Sequence, residues 1–334
     1  MQAAVLNLRM RLVAALFVFS LSSAAQVAPE PTENVPNDPD HIAKLADDSL
    51  WRLELADIAA VDTFSYTGLP RTAHGSSPMI LYAYSFVPKA LDTSAKHPLV
   101  ILVHGGVHSN FETGGPANAA HIVRELIQLG YVIVAPDYRG STGYGPAYQN
   151  AIDYGGKEND DVLAARAWML ENYRFLDPSR VGIVGWSHGG MIALMNVFQH
   201  PDAYACAFAG EPVSDLVARA TYNKTLPRTL ADSLANSPGQ GTSVNEEVYR
   251  RRSPLCYVSK LQKPLLVHGN TTDEVVHVVE VEHLIDALKA AGKDFESKIY
   301  NAAPGGHHFN RIDTKLARDS RQEIYAFLKG YLHP

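Results

Sequence analysis

The chain has 334 residues and a formal net charge of −6, with 46% of its residues hydrophobic and 19% charged. This balance is typical of a folded globular protein, so it excludes an intrinsically disordered or fibrous chain. The mildly acidic charge also disfavours nucleic acid as a partner, since phosphate binding requires clustered positive charge.

The N-terminal segment has the pattern of an export signal. Arg9 and Arg11 precede an apolar run, 12–25, which ends in small residues. The run is short for a membrane span, and it fits a signal peptide over residues 1–25 that is cleaved after Ala25. We therefore expect a secreted or periplasmic protein without stable membrane insertion after cleavage. An uncleaved N-terminal anchor is the alternative.

Residues 26–75 are predicted to be a lead-in segment that is partly flexible. The stretch 26–40 is rich in proline and acidic residues, a composition that favours a flexible chain. The stretch 41–61 has room for a short helix. The domain proper is expected over residues 76–334.

From residue 79 onward, short apolar segments alternate with amphipathic ones. The apolar segments are rich in β-branched and aromatic residues, as strands are, and they lie at 79–87, 97–105, 131–137, 180–186, 203–210, 264–270 and 295–301. The helical patterns lie at 159–172, 191–200, 278–292 and 314–332. This alternation predicts an α/β fold with a mostly parallel central sheet and helices on both faces. The polar interruption at 213–255 is expected to be a lid-like insertion that walls a pocket.

A candidate nucleophile lies where a predicted strand meets a predicted helix. The stretch 180–194 contains Gly-x-Ser-x-Gly, a pattern that predicts a sharp turn at such a junction. The turn would lift the Ser187 hydroxyl out of the sheet and direct the backbone N–H of His188 at a developing negative charge. A plain glycine-rich turn is the alternative interpretation.

A serine nucleophile needs a base, and the base needs a third group that orients it. Asp273 follows the predicted strand 264–270, so in a parallel sheet it lies at the same edge as Ser187. We therefore take Asp273 as the candidate orienting carboxylate. Glu274 is the alternative residue, and a helix N-cap is the alternative role.

Two adjacent histidines, His307 and His308, follow the predicted strand 295–301 and are candidates for the base. Neighbouring side chains in an extended segment point to opposite sides, so only one of the two would face Ser187. A metal site is not expected, because the other histidines near strand ends are scattered and match no ligand pattern. These other histidines are His104, His108 and His268.

The two cysteines, Cys206 and Cys256, are too few for a disulfide framework. One bridge between them is possible after export. A pair of inert buried thiols is the favoured interpretation, because the spacing matches no metal-binding motif.

Several motifs together resemble a known family. The chain is similar over about 78–332 to the catalytic domain of the prolyl oligopeptidase family of serine peptidases, a branch of the α/β-hydrolases. The matching motifs occur in the family's order, and they are ILVHGG (101–106), DYRGSTGYG (137–145), GWSHGG (185–190), SPL (253–255), PLLVHGNTTDEVV (264–276) and PGGHHF (304–309). The resemblance implies a catalytic triad of Ser187, Asp273 and His307, because the family's Gly-His-x-Phe pattern selects His307 over His308.

The resemblance also bears on the remaining site residues. Many members supply one oxyanion hydrogen bond from a tyrosine, and His104 occupies that position here. The HGG variant implies instead a backbone N–H from Gly106 or its neighbour, together with that of His188. Substrate-pocket candidates are His104, Tyr144 and Glu211, the last being a single acidic group where dipeptidyl members use a pair. A loop or capping role is the alternative for Glu211.

Arg139, within the second motif, has two interpretations. A structural ion pair with Asp160 or Asp161 is favoured, because a guanidinium fits a carboxylate well. Contact with substrate is the alternative role for Arg139. The same role is suggested for Tyr144.

These features predict an exported serine hydrolase that acts through an acyl-enzyme and requires no cofactor, and the resemblance implies that it cleaves peptide bonds. Large family members carry a β-propeller before this domain that gates entry of peptides, whereas only the segment 26–75 precedes it here. A carboxylesterase acting on small or medium acyl esters is therefore the first alternative. A catalytically dead hydrolase fold that acts as a binding protein is the remote one.

Overall fold

The computed structural model describes residues 37–71, 77–114, 119–235 and 245–334. The predicted signal peptide and the first part of the lead-in, residues 26–36, lie outside the described residues. Within the described ranges, no helix combines the length and the hydropathy needed to cross a bilayer.

The described chain forms one mostly parallel sheet. Its strands are β1 (Ala59–Thr67), β2 (Ile80–Pro88), β3 (His97–Val103), β4 (Val132–Asp137), β5 (Leu176–Trp186), β6 (Cys206–Gly210), β7 (Leu265–Asn270) and β8 (Glu296–Tyr300). The strand order is β1-β2-β4-β3-β5-β6-β7-β8. Only the β1–β2 and β2–β4 pairs of this sheet are antiparallel. The predicted sheet type is confirmed, and every strand predicted from the sequence is present.

Helices cover both faces of this sheet. They are α1 (Pro39–Glu54), α2 (Ala119–Gln128), α3 (Pro146–Gln149), α4 (Lys157–Asn172), α5 (His188–Gln199), α6 (Leu216–Tyr222), α7 (Leu226–Ala235), α8 (Glu246–Arg252), α9 (Val278–Ala290) and α10 (Lys315–Leu332). Short 3-10 helices lie at Pro201–Ala203, Pro254–Lys260 and Gly306–His308. The four helices predicted from the sequence correspond to α4, α5, α9 and α10.

Strand β3 shows why the central strands are apolar throughout. Leu99, Ile101 and Val103 enter the core formed with α4, α5 and α9. Val100 and Leu102 enter the opposite core, formed with α1, α2 and α10. Because both faces are covered, successive residues are buried in turn and no polar alternation remains.

The lead-in segment contains β1, a strand that the sequence analysis did not identify. It pairs antiparallel with β2 at the edge of the sheet, with Ala59 opposite Pro88. Helix α1 packs Trp51 and Leu55 into the core on one face. The described part of 26–75 is therefore built into the sheet. An edge strand that is exposed over much of its length needs no continuous apolar run, which explains why its signal was weak.

The insertion at 213–255 is helical in its described part. Helices α6, α7 and α8 belong to it, and residues 236–244 lie outside the described ranges. Leu216, Leu226 and Leu230 pack against Met191 at the start of α5 and against Val276. The insertion therefore has a small apolar core of its own beside the end of the sheet.

Arg139 has the structural role favoured from the sequence, with Asp161 as its partner. Its Nε and Nη2 each donate to the Asp161 carboxylate at 2.7 Å. Both side chains are fully buried. Nη2 also donates to the carbonyl of Leu69 at 3.0 Å. The pair thus connects the end of β4 to α4 and to the segment after β1.

We predict that Arg139→Met lowers the free energy of unfolding by about 3–5 kcal/mol, because it leaves Asp161 buried without its cation. The matched control is Arg228→Met, since Arg228 and Asp232 are 90% and 71% exposed and 3.8 Å apart. An exposed pair contributes at most about 1 kcal/mol. Denaturant unfolding of both variants measures the difference. Equal losses would contradict the structural role of Arg139.

Candidate active site

The parallel strands bring the candidate residues to one edge of the sheet. Val103, Gly185, Ala209, Val267 and Ser297 lie side by side in one row across β3, β5, β6, β7 and β8. The loops that leave the sheet beyond this row carry every candidate except Tyr144, which follows β4. These residues are His104, Gly106, Ser187, His188, Glu211, Asp273 and His307.

Ser187 lies in the turn between β5 and α5, with φ 58° and ψ −121°. This left-handed conformation is unusual for a residue with a side chain. The turn is so tight that a Cβ on Gly185 would lie 2.2 Å from the carbonyl oxygen of Gly189. A Cβ on Gly189 would lie 2.3 Å from the carbonyl oxygen of Val103, so both glycines of the motif are a steric requirement. The turn geometry is the one predicted from the Gly-x-Ser-x-Gly pattern.

Asp273 and His307 form a direct hydrogen bond. Nδ1–H of His307 donates to Oδ2 of Asp273 at 2.7 Å, and both side chains are buried. The other carboxylate oxygen accepts the N–H groups of Val275 and Val276, each at 2.8 Å. Asp273 is thus fixed by its own turn before it orients the imidazole. Glu274, the alternative from the sequence, is exposed.

The two histidines do not lie in an extended segment, so the expectation that they point to opposite sides is wrong. Residues Gly306–His308 form a turn of 3-10 helix. The rings of His307 and His308 lie 5.3 Å apart, and both line the same cavity. Only His307 makes the bond to Asp273.

A cavity of about 320 Å³ opens at this edge of the sheet, and Ser187 and His307 both line it. Its walls come from the end of β3 and the loop after it, from Trp186, from Val275 and from the segment that contains His308 and Arg311. The described residues of the insertion 213–255 do not line it. The expected pocket wall is therefore supplied by other elements.

The loop after β3 lies directly against the nucleophile. A Cβ on Gly105 would be 3.2 Å from the Cβ of Ser187, and Gly105 and Gly106 both line the cavity. His188 is the first residue of α5, so its backbone N–H has no acceptor within the helix. Its imidazole points away into the protein, 3.3 Å from the buried carboxylate of Glu158. The start of α5 and the loop after β3 are thus both close to Ser187.

His104 and Tyr144, both pocket candidates, have different positions. His104 lines the cavity, stacks on Tyr138 at 4.3 Å and bonds to the Ser141 hydroxyl at 3.0 Å. Burial lowers the pKa of His104, which favours a neutral ring. Tyr144 lines a separate cavity beside α1, and its hydroxyl donates to Asp137 at 2.6 Å. The structure therefore does not bring Tyr144 to the cavity of Ser187.

Glu211 lies behind the cavity rather than in its wall. It is fully buried with φ 41°. Its Oε1 accepts from Asn310 at 3.3 Å, and its Oε2 lies 3.9 Å from Nη2 of Arg311. Burial raises the pKa of Glu211 well above its usual range.

Arg311 is a buried, charged cavity residue that sequence reasoning missed. It is 5% exposed and lines the cavity, and its Nη2 donates to the carbonyl of His307 at 2.6 Å. Nothing in the local pattern distinguishes this arginine from an exposed basic residue. Its position four residues after His307 in a turn-rich segment is the only signal.

Helix α1 supports the loop that lines the cavity. Its Asp47 accepts the backbone N–H of Thr113 at 3.0 Å and also the Thr113 hydroxyl. Trp51 stacks on Phe111 with ring centroids 5.1 Å apart. From the other side, Asp137 at the end of β4 accepts the N–H of Phe111 at 2.7 Å. The lead-in helix and the sheet therefore fix this loop together.

The remaining expectations concern metals and thiols. Among the described residues, no group of three or more histidine, cysteine or carboxylate side chains is arranged as a metal site. Cys206 is a buried free thiol and Cys256 an exposed one. The possible bridge between them is absent, and burial raises the pKa of Cys206 to about 12.

The chain matches a family model and is similar to several known proteins over much of its length. A family model described as "Prolyl oligopeptidase family" matches residues 119–334. The chain is 30% identical over 277 residues to Dipeptidyl aminopeptidase BIII of Pseudoxanthomonas mexicana, covering 80% of this chain and 36% of that protein. It is 31% identical over 239 residues to Dipeptidyl peptidase 8 of Homo sapiens, covering 70% of this chain and 25% of that protein. The chain thus spans about a quarter to a third of the length of these relatives.

Solved structures agree on the fold. The uncomplexed acylaminoacyl peptidase of Pyrococcus horikoshii superimposes with a TM-score of 0.69 at 20% identity, covering 83% of this chain and 42% of that one. The predicted α/β-hydrolase fold is confirmed by this likeness. At such low identity the superposition bears on the fold alone.

We predict that Asp47→Ala loosens the cavity loop without unfolding the protein. It removes the acceptor for the Thr113 amide and hydroxyl, and we expect a loss of about 1–2 kcal/mol. Hydrogen exchange should speed up in the peptide that contains Thr113. Ser49→Ala, an exposed position on the same helix, is the control and should leave exchange there unchanged. Unaltered exchange in Asp47→Ala would mean that α1 does not support the loop.

Proposed function

Because the chain belongs to the prolyl oligopeptidase family, we propose that it is a serine hydrolase that cleaves peptide bonds with Ser187, Asp273 and His307 as its catalytic triad. The observation that carries the proposal is the bond between His307 and Asp273 beside the cavity that Ser187 lines. A strained serine, an oriented imidazole and a cavity in front of both are the parts that acyl transfer needs.

His307 acts as the base in this proposal. Its Nδ1 is bonded to Asp273, so Nε2 is the nitrogen that remains for a group in the cavity. Nε2 takes the proton of Ser187 Oγ as the oxygen attacks the substrate carbonyl carbon. The same proton then passes to the leaving nitrogen when the C–N bond breaks. Asp273 keeps the imidazole in the required tautomer and stabilises its protonated form.

The negative charge on the substrate oxygen falls between the helix start and the loop after β3. The backbone N–H of His188 and that of Gly106 are the proposed donors. Loss of one such donor reduces rates by about 100-fold or more in serine hydrolases. In the second half of the reaction, water deprotonated by His307 attacks the acyl-enzyme and releases Ser187.

The same triad would hydrolyse esters, and the apolar walls of the cavity suit an ester acyl group equally well. Carboxylesterase activity is therefore the competing proposal. The family relationship favours peptides, since the relatives above are named as peptidases. Direct comparison of the two substrate types decides between them.

We also propose export, with a signal peptide at residues 1–25. Its support is the sequence pattern alone, namely two arginines followed by an apolar run that ends in small residues. Expression of the full chain followed by N-terminal analysis of the processed protein tests this. A mature N-terminus at Gln26 is the expected result.

We predict that the wild-type protein hydrolyses aminoacyl or peptidyl nitroanilides and that Ser187→Ala loses this activity by about 10⁴-fold or more. A fluorophosphonate probe should label the wild type and not the variant. Ser109→Ala, which removes another hydroxyl from the same cavity, should retain the label. Turnover of nitrophenyl esters without any turnover of amides would refute the peptidase assignment. A label that persists in Ser187→Ala would refute the nucleophile.

We predict opposite outcomes for the two adjacent histidines. His307→Ala should lose activity by about 10⁴-fold, as removal of a catalytic base does. His308→Ala should lose less than about tenfold, mainly through KM, because His308 only lines the cavity. Burial, with Arg311 and His307 beside it, lowers the pKa of His308 to about 4, so His308 is neutral at pH 7. A larger loss at His308 than at His307 would mean that the base is misassigned.

A further inference from the structure

Arg311 presents a buried positive charge to the cavity without an acceptor that matches it. Its side chain is 5% exposed and lines the cavity, and its guanidinium lies 5.8 Å from the Trp186 ring. Among the described residues, the carbonyl of His307 is the one hydrogen-bond acceptor it reaches. Its Nε is buried and has no partner. A guanidinium carries five N–H donors, so most of its capacity is unused.

The carboxylate of Glu211 makes no hydrogen bond to this charge. Oε2 of Glu211 lies 3.9 Å from Nη2 of Arg311, beyond hydrogen-bond distance, and has no other partner. Burial raises the pKa of Glu211 well above its usual range, which favours the neutral carboxyl. The cavity also contains Glu112, which is exposed and therefore screened by solvent. A buried cation of this kind calls for an anion in the cavity.

The position of Arg311 indicates which part of a substrate it meets. If His307 passes its proton to the leaving nitrogen, the leaving group must lie against His307. Arg311 is bonded to the backbone of His307, and it lines the same cavity as His307 and His308. The guanidinium therefore lies on the leaving-group side of Ser187.

We propose that Arg311 binds the C-terminal carboxylate of the leaving group, so that the preferred substrates are short peptides that end in a free carboxylate close to the scissile bond. This inference rests on the proposed function above. A carboxylate suits the site because its two oxygens match two parallel N–H groups of a guanidinium. The reaction is unchanged: Ser187 Oγ bonds to the carbonyl carbon, the C–N bond breaks, and an amino acid or short peptide leaves with its carboxylate intact.

The test compares two substrates that differ only at the C-terminus, N-acetyl-phenylalanyl-alanine and its C-terminal amide. For the wild type we expect kcat/KM for the free acid to exceed that for the amide by about tenfold or more, mainly through KM, as expected for charge-assisted hydrogen bonds to a carboxylate. In Arg311→Met the preference should disappear, because the acid loses more rate than the amide and the acid-to-amide ratio falls to about one. An acid-to-amide ratio near one in the wild type overturns the proposal without any variant.

Two further variants separate recognition from a purely structural role. Arg311→Lys keeps the charge but not the planar fork, so it should retain part of the preference and bind the acid more weakly. Arg318→Met, the same substitution as in Arg311→Met at an exposed arginine of α10, should keep the full preference. If Arg311→Met and Arg311→Lys lower both substrates equally, Arg311 only positions the His307 loop and the proposal is wrong.

A nitroanilide substrate has a leaving group without a carboxylate. It therefore distinguishes the proposed peptidase function from the proposed role of Arg311. Turnover of nitroanilides with no preference for the free acid would leave the proposed peptidase function intact and refute the role of Arg311. No turnover of nitroanilide, acid or amide would refute the peptidase function itself, and the role of Arg311 with it.

Discussion

The left-handed backbone of Ser187 is the constraint on which the rest of the site depends. Such a conformation costs about 1–2 kcal/mol for a residue with a side chain. Three hydrogen bonds offset it: Ser187 donates to Gly210 at 2.9 Å, and its carbonyl accepts from Met191 at 3.0 Å and Val213 at 3.2 Å. The turn brings strand, helix and the loop after β6 together, and it sets where the hydroxyl and the helix N-terminus meet.

The conformation of the loop after β3 depends on residues that are distant from it in sequence. It contributes the glycines next to Ser187 and much of the cavity wall, but it has no regular structure of its own. Asp137 fixes it from the sheet and Asp47 from α1, each through backbone amides. Helix α1 lies outside the segment that the family model matches. Both α1 and this loop thus lie outside the matched segment, and each contributes to the geometry beside Ser187.

The buried arginines Arg139 and Arg311 differ in whether a carboxylate forms hydrogen bonds with them. This difference corresponds to their different roles. Arg139 is paired with Asp161 by two short hydrogen bonds and sits inside the protein, as a structural ion pair does. Arg311 lies beside a long contact to Glu211 and faces a cavity. A buried guanidinium without a hydrogen-bonded carboxylate is unfavourable in the free protein. The position of Arg311 beside a candidate catalytic residue is therefore consistent with our proposal that an anionic group of the substrate pairs with it.

The sequence by itself determined the sheet, its main helices, and Ser187, Asp273 and His307 as candidates, because periodicity and short motifs are local properties of the chain. It did not reveal β1, whose edge position leaves little apolar pattern, or the 3-10 turn that puts His307 and His308 in one cavity. It also did not reveal that Arg311 lines the cavity or that α1 supports the loop after β3. Only the tertiary structure decided these, because burial and unmatched charge depend on contacts between residues distant in sequence.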